Sequence, residues 1–258
     1  MDLTDLDQHA GHLRRRFMAD GFLSLPGFMT AAEVAEVNAG VQRFIEAVVP
    51  AMPAELVYYE DRGDPATLKQ VQLLHEHDPY FRSLMSGSRF QALARALLGE
   101  DVVGRNLQYF NKPPGIGLPT PPHQDGRFFM LEPCTALTMW LALEDVGEAQ
   151  GCIRYVRGSH TMGMRVHERS GVLGFSQHIP GFGREEDLER EVVCPSTAGQ
   201  LLVHHALTIH RASGNRSPDR SRRALGFIYH ARSARHDEAA HAAYQNRLAT
   251  ELAAQRKI

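Results

Sequence analysis

The sequence predicts a mainly β core with flanking helices, and two observations carry that expectation. Over the first hundred residues apolar side chains recur at helical spacing, whereas from Val102 onward short β-type runs alternate with Pro- and Gly-rich turns. Closely spaced short strands of this kind form a sandwich or a barrel. No linker or internal repeat interrupts the chain. Residues 1–258 are therefore expected to form one domain, with a helical part over 1–100, a strand-rich core over 101–231 and a C-terminal helix over 237–255.

The elements follow from local signals. His12 to Asp20 reads as a short helix ended by Gly21, and Phe22-Leu23-Ser24-Leu25 as an extended segment closed by Pro26-Gly27. Thr30 followed by Glu33 three residues later is a capping-box signature. Beyond it, Val34, Val37, Val41, Phe44, Ile45 and Val48 fall on one helical face until Pro50 and Pro53 stop the run. Pro79 opens a helix that carries Phe81, Leu84, Met85, Phe90, Leu93 and Leu97 inward and ends before Gly99. Strands are predicted at Val102 to Asn111, Thr135 to Leu143, Cys152 to Val156, Glu191 to Cys194, Gln200 to His204 and Ala224 to Tyr229. The last helix, Asp237 to Gln255, has its apolar positions at Ala240, Tyr244, Leu248 and Leu252.

Composition excludes several function classes. With 43% hydrophobic and 22% charged residues the chain is ordinary for a globular protein, and its formal net charge of -2 gives no electrostatic case for a nucleic-acid partner. No apolar run is long enough to span a bilayer, so no membrane role is expected. The start, Met1-Asp2-Leu3-Thr4-Asp5, is acidic and unlike a signal peptide. Cys134, Cys152 and Cys194 are odd in number and widely spaced, which fits buried thiols in a reducing cytoplasm.

The chemistry concentrates in Pro121-Pro122-His123-Gln124-Asp125 and two downstream segments. On a strand, His-x-Asp points both side chains to one face. A distant His210, reached through the apolar Leu201-Leu202-Val203 run, can complete a set of two imidazoles and one carboxylate. Such a set leaves the opposite side of a metal open, the arrangement of non-haem Fe(II) oxygenases. The turn Gly214 to Asp219 then returns the chain to Arg222. A guanidinium there takes a carboxylate bidentately and keeps its charge, as the anchor of a dicarboxylate cosubstrate must.

Taken together, Asn111-Lys112-Pro113-Pro114, His123-Gln124-Asp125, Trp140, Gly151-Cys152-Ile153, Gly158-Ser159-His160, His205 to His210, Asn215 and Arg222-Arg223-Ala224-Leu225 resemble the phytanoyl-CoA dioxygenase (PhyH-type) family of Fe(II)/2-oxoglutarate oxygenases. The resemblance implies a double-stranded β-helix (jelly-roll, cupin-like) core with His123, Asp125 and His210 as iron ligands. It implies Arg222 on the remote carboxylate of 2-oxoglutarate, with Trp140 and Gln108 beside it and O2 as the oxidant. The stretch between His210 and the arginine pair is one residue longer than usual, which keeps Arg223 as an alternative anchor. A lysine expected before the Val-Gln pair is Gln70, with Lys69 one place earlier. Related halogenases carry a small residue where Asp125 stands, so hydroxylation of an unactivated C–H bond, with release of succinate and CO2, is the implied reaction.

The arginines around Arg211 to Arg235, with Arg157 and Arg165, point to a small anionic or zwitterionic substrate: an acyl-CoA, amino-acid derivative, organophosphonate or natural-product intermediate. Residues 113–122 and 161–190, the latter without strong periodicity and including Gly174-Phe175-Ser176-Gln177, are expected to form the lid and substrate wall. His75-Glu76-His77-Asp78 reads as a solvated turn before the Pro79 helix, His160 and His204 as structural, and His205 as either structural or a support just behind the ligands. Two other classes share these residues: a zinc hydrolase or lyase on the same ligands, and a jelly-roll binding protein without turnover.

Overall fold

In the computed structural model, which describes residues 3–254, helix α1 (Leu3–Asp20) leads into strand β1 (Phe22–Leu25) and helix α2 (Ala31–Ala47). There follow β2 (Val57–Tyr59), β3 (Leu68–Val71), α3 (Leu74–His77), α4 (Pro79–Met85), α5 (Arg89–Leu98) and β4 (Val102–Phe110). The core continues through β5 (Thr120–His123), α6 (Gly126–Phe129), β6 (Leu131–Glu132), β7 (Ala136–Ala142) and β8 (Ile153–Val156). After β9 (Glu168–Val172), β10 (Phe175–His178) and α7 (Glu185–Glu189) come β11 (Glu191–Cys194), β12 (Leu201–His205), β13 (His210–Ala212), β14 (Ala224–Ala231), β15 (Arg235–His236) and α8 (Glu238–Ala254). Gln255, where the C-terminal helix was expected to end, and the side chain of Leu252 lie outside the described residues.

Two antiparallel sheets face each other as a jelly roll. The larger has the order β1-β12-β7-β14-β4-β3-β2 and the smaller β11-β8-β13-β5. Alternation along each strand divides the side chains between two cores. From β7, β12 and β14, Leu137, Met139, Leu141, Leu201, Val203, Leu225, Phe227 and Tyr229 pack outward against Phe17, Val37, Phe44, Phe81, Phe90 and Leu93 of the helices. Trp140, Ala142, Leu202 and Ala224 turn inward to meet Ile153, Tyr155 and Cys194 of the smaller sheet. With both faces covered, β7 and β14 are buried along their whole length and read as near-continuous apolar runs.

The Thr30–Glu33 capping box is formed in both directions, and Val34, Val37, Val41 and Phe44 are buried as expected. Several features differ from the sequence reading, beginning with α1, which starts at Leu3 rather than at His12. The first hundred residues also contain β2 and β3, which extend the large sheet past β4. The helix opened by Pro79 breaks at Ser86-Gly87-Ser88, where Gly87 takes a positive φ of 71° and the Ser88 hydroxyl caps α5 by accepting from the Gln91 N–H. Residues 161–190 are not irregular: they hold the β9–β10 hairpin and α7. The His75–Asp78 stretch is not a solvated turn: His75 to His77 lie in α3, and Asp78 is buried, caps α4 and pairs with Arg43 at 2.7 Å. The three cysteines are free, and no described helix is long and apolar enough to cross a membrane.

Buried histidines set the acid stability of this fold. Burial pushes His230 down to about 3, and His167 and His205 down to about 4, from an ordinary 6.5. The unfolded chain therefore binds more protons than the folded one between those values and 6.5. Stability is full above pH 6.5 and is lost as pH falls toward 4, by up to ~1.4 kcal/mol per pH unit for each group. Thermal melts of metal-free protein across that window should show the decline, and His230→Leu should make it shallower. A flat Tm between pH 6.5 and 4 would contradict this.

Candidate metal centre

β13 lies between β8 and β5 in the smaller sheet, and its register sets His210 directly across from His123. The two imidazole centroids are 4.2 Å apart. Asp125 is not on the strand with His123, as the period-two reading expected. β5 ends at His123, and Asp125 takes helical angles (φ -58°, ψ -33°) as the residue before α6. The chain turns because the Gly126 N–H donates to the Ala206 carbonyl across the core. Gln124, fully buried between the two, is a staple: its amide donates to the carbonyls of Gly163 and Leu207 and accepts from the Arg165 N–H.

The result is three ligand atoms within 4.8 Å of one another, one each from His123, Asp125 and His210. Among the described residues this is the one such group of His, Cys, Asp and Glu side chains. The Nε2 atoms of His123 and His210 lie 3.3 and 3.6 Å from Asp125 Oδ1. Their outer nitrogens decide the tautomer. His123 Nδ1 is 2.7 Å from the Pro121 carbonyl and His210 Nδ1 is 3.0 Å from the Thr208 carbonyl. A carbonyl can only accept, so each Nδ1 carries the proton, and in the neutral ring Nε2 presents a lone pair. Two imidazole lone pairs and a carboxylate oxygen then converge with no proton between them. A cation satisfies such a set, and the donor types suit iron or zinc.

Electrostatics favour the metal-ready state. Burial pushes His210 well below its ordinary value, reinforced by His123 and His204, so its ring is held neutral. Burial alone would raise the Asp125 carboxyl, yet it is held well below the usual carboxylate range, with the His204 Nε2–H donating to its Oδ2. Asp125 Oδ2 is occupied by the Thr138 hydroxyl at 2.5 Å and by His204 Nε2 at 3.0 Å. Oδ1 is the oxygen left for a metal.

Beside this cluster the large sheet presents a row on its inner face. Gly226 of β14 pairs with Gln108 of β4 on one side and Trp140 of β7 on the other. A Cβ on Gly226 would stand 2.6 Å from the Phe110 ring, so only glycine keeps the row open. Arg222 enters from the strand end with its guanidinium 4.8 Å from the Trp140 ring centroid. It is buried, makes no ion pair among the described residues, and its Nε has no hydrogen-bond partner. Burial pushes it down to about 10, still cationic at neutral pH. A buried cation left unpaired is costly, and an anion docked against it removes that cost. Arg223, by contrast, is engaged by Glu144 through Nε and Nη2 at 3.2 Å and through its backbone N–H at 2.6 Å. Gln70 of β3 donates to Gln108 Oε1 at 2.6 Å, while Lys69 is paired with Glu60 at 3.1 Å.

Comparisons with known proteins bear on the family of this chain. A family model, Phytanoyl-CoA dioxygenase (PhyH), matches residues 17–224. The chain belongs to the phytanoyl-CoA dioxygenase family. It is thus a non-haem oxygenase of the class that uses iron, 2-oxoglutarate and O2. A family relative from Bos taurus, phytanoyl-CoA dioxygenase domain-containing protein 1, is 29% identical over 83% of this chain and 87% of its own length. A probable alpha-ketoglutarate-dependent hypophosphite dioxygenase from Stutzerimonas stutzeri is 26% identical over 81% of this chain and 74% of its own. Among solved structures, the epimerase SnoN in complex with Fe3+, alpha ketoglutarate and nogalamycin RO superposes with a TM-score of 0.68 at 27% identity, covering 89% of this chain and 86% of that one.

Three of the arginines expected to meet substrate are engaged within this PhyH-family fold. Arg157 pairs with Asp20, Arg165 with Asp187, and Arg211 with Glu191. What stands nearest the cluster is aromatic. The rings of Phe128 and Phe175 lie 5.8 and 5.5 Å from that of His123, and Phe175 reaches on to Phe110. Phe175 is carried by the β9–β10 hairpin, whose neighbouring Ser176 bonds Tyr244 of α8. Sequence reasoning placed Phe175 in the substrate wall but did not see that it lies on a strand, and it missed His204 as a partner of Asp125.

Proposed function

We propose that this protein hydroxylates an unactivated C–H bond of a small metabolite, with Fe(II) held by His123, Asp125 and His210. The observation that carries this reading is the convergence of two Nε2 lone pairs and Asp125 Oδ1, fixed by the Pro121 and Thr208 carbonyls. Arg222 takes the remote carboxylate of 2-oxoglutarate, and Trp140 and Gln108 border that cosubstrate along the row opened by Gly226. Arg222 is preferred to Arg223 because its charge is buried and uncompensated, whereas Arg223 already has Glu144. When bound, iron and 2-oxoglutarate supply the oxidising power, with cosubstrate oxidatively decarboxylated by O2 to succinate and CO2 and one oxygen atom delivered to substrate. The protein's part is to orient these groups and keep water out. Phe110, Phe128 and Phe175 serve the second task by giving the reacting bond an apolar wall.

The paired state of Arg157, Arg165 and Arg211 removes part of the charge argument for an anionic substrate. The aromatic wall supports a substrate that offers an apolar C–H to the metal, whatever polar group it carries further out. The zinc reading is disfavoured by Arg222, since a hydrolase on the same ligands leaves that buried cation without a purpose. Helices α1 to α5 share one outward core with the large sheet, which supports the chain working as one domain. The expectation of a cytoplasmic enzyme without nucleic-acid partners stays part of this proposal.

Turnover tests it. Purified protein given Fe(II), 2-oxoglutarate and O2 should release succinate faster when the right candidate metabolite is added. The product should carry one oxygen atom from isotopically labelled O2. Substrate loss without succinate would overturn the oxygenase reading, and succinate release with a product free of labelled oxygen would overturn hydroxylation.

A further inference from the structure

His204 lies outside the three-atom cluster yet touches it more closely than a packed core histidine needs to. It sits on β12 opposite Thr138 of β7, so both side chains reach Asp125 from the large sheet. Its Nε2 is 3.0 Å from Asp125 Oδ2, and its Nδ1 is 3.0 Å from the Tyr155 hydroxyl. Tyr155 belongs to β8 in the opposite sheet, is fully buried, and stacks on Phe22 with centroids 4.7 Å apart and planes 18° off parallel. The carboxylate oxygen can only accept, so Nε2 must donate. In the neutral ring Nδ1 then accepts, and the Tyr155 hydroxyl is the donor that holds that tautomer.

We propose that His204, held by Tyr155, is a positioning residue that occupies Asp125 Oδ2 and so commits Asp125 to offering one oxygen, Oδ1, to the metal. This rests on the ligand assignment proposed above. Thr138 assists from the same strand pair, but its hydroxyl can rotate to other acceptors, whereas the His204 ring is fixed at both nitrogens. A carboxylate pinned through one oxygen keeps a coordination position free that a two-oxygen grip would fill. Partners of this kind, one bond removed from a metal, typically change its affinity by about 10–100-fold.

The test is a Co(II) titration of the whole protein, followed by its visible absorption, on the wild type, His204→Phe, His204→Gln and Tyr155→Phe. His204→Phe keeps a ring but loses the donor, and should weaken Co(II) binding by about 10-fold or more. Its Co(II) band should also change in shape, because Oδ2 is released to join Oδ1. His204→Gln keeps an N–H in reach of Oδ2 and should restore both affinity and band to near wild type. A role confined to packing would not separate Phe from Gln in the spectrum. If His204→Phe does not fold, Tyr155→Phe carries the test: loss of the hydroxyl frees the His204 tautomer and should weaken Co(II) binding severalfold. Wild-type affinity and an unchanged band in every folded variant would overturn the role of His204. A wild type that binds no Co(II), or a variant Asp125→Ala that binds it as well as wild type, would instead overturn the ligand assignment.

Discussion

Asp125→Ala is expected to weaken Fe(II) binding by on the order of 100-fold or more and to abolish succinate release, while the fold survives. The magnitude follows from what the residue does. Changing a partner of a ligand alone costs about 10–100-fold in metal affinity, and Asp125 is the only charged member of the three-atom set. Without it the two imidazoles remain as neutral donors, with no anion to favour a divalent cation. The cost to the metal-free protein is comparable in size and of a different kind. Thr138 Oγ1 and His204 Nε2 lose their acceptor, which costs about 1–3 kcal/mol for each donor left dry. Anaerobic Fe(II) titration and a thermal melt, done side by side, separate the two effects. Full activity in the variant would remove Asp125 from the iron site.

Arg222→Leu is expected to raise the Kd for 2-oxoglutarate by roughly 30-fold or more, the low end of the 2–5 kcal/mol lost when one partner of a buried charge pair is removed. Arg223→Leu should leave that Kd within about threefold, because its charge is already matched by Glu144 in a part-buried pair and has no need of a further anion. The stability effects should run in the opposite sense. Arg222 is a buried cation with an orphaned Nε, so replacing it with an apolar side chain should hold or raise the Tm of the cosubstrate-free protein. Arg223→Leu should lower it slightly. A binding site that costs stability until its ligand arrives is a common trade between function and folding. Equilibrium binding with 2-oxoglutarate and melts of both variants decide the matter, and a larger binding loss in Arg223→Leu would move the anchor by one residue.

The sequence carried the core of this molecule well, for reasons visible in particular strands. β7 and β14 are apolar on both faces because helices cover one side and the smaller sheet the other, so they stand out against the turns that flank them. His123, His210, Trp140 and Arg222 were legible through their family order, and the structure brings the two histidines into one cross-strand pair. β2 and β3 were not legible. They are three and four residues long, and Lys69 and Gln70 interrupt the apolar signal because their partners are Glu60 and Gln108. The turn that takes Asp125 off its strand depends on the Ala206 carbonyl, which no local pattern announces. His204 looked like any histidine in a core strand. Its meaning comes from Asp125 and Tyr155, which the chain supplies from two other strands' neighbourhoods and only the folded sheets bring within reach.

The central claim is that one iron and one 2-oxoglutarate share the space between the His123–Asp125–His210 cluster and Arg222. The most direct measurement is anaerobic addition of Fe(II) and then 2-oxoglutarate to the whole protein, watching for the weak visible charge-transfer band of their complex. The band should appear only when both are present, saturate at one equivalent of each, and be absent from Asp125→Ala. No band, or a 2-oxoglutarate affinity indifferent to Fe(II), would contradict it.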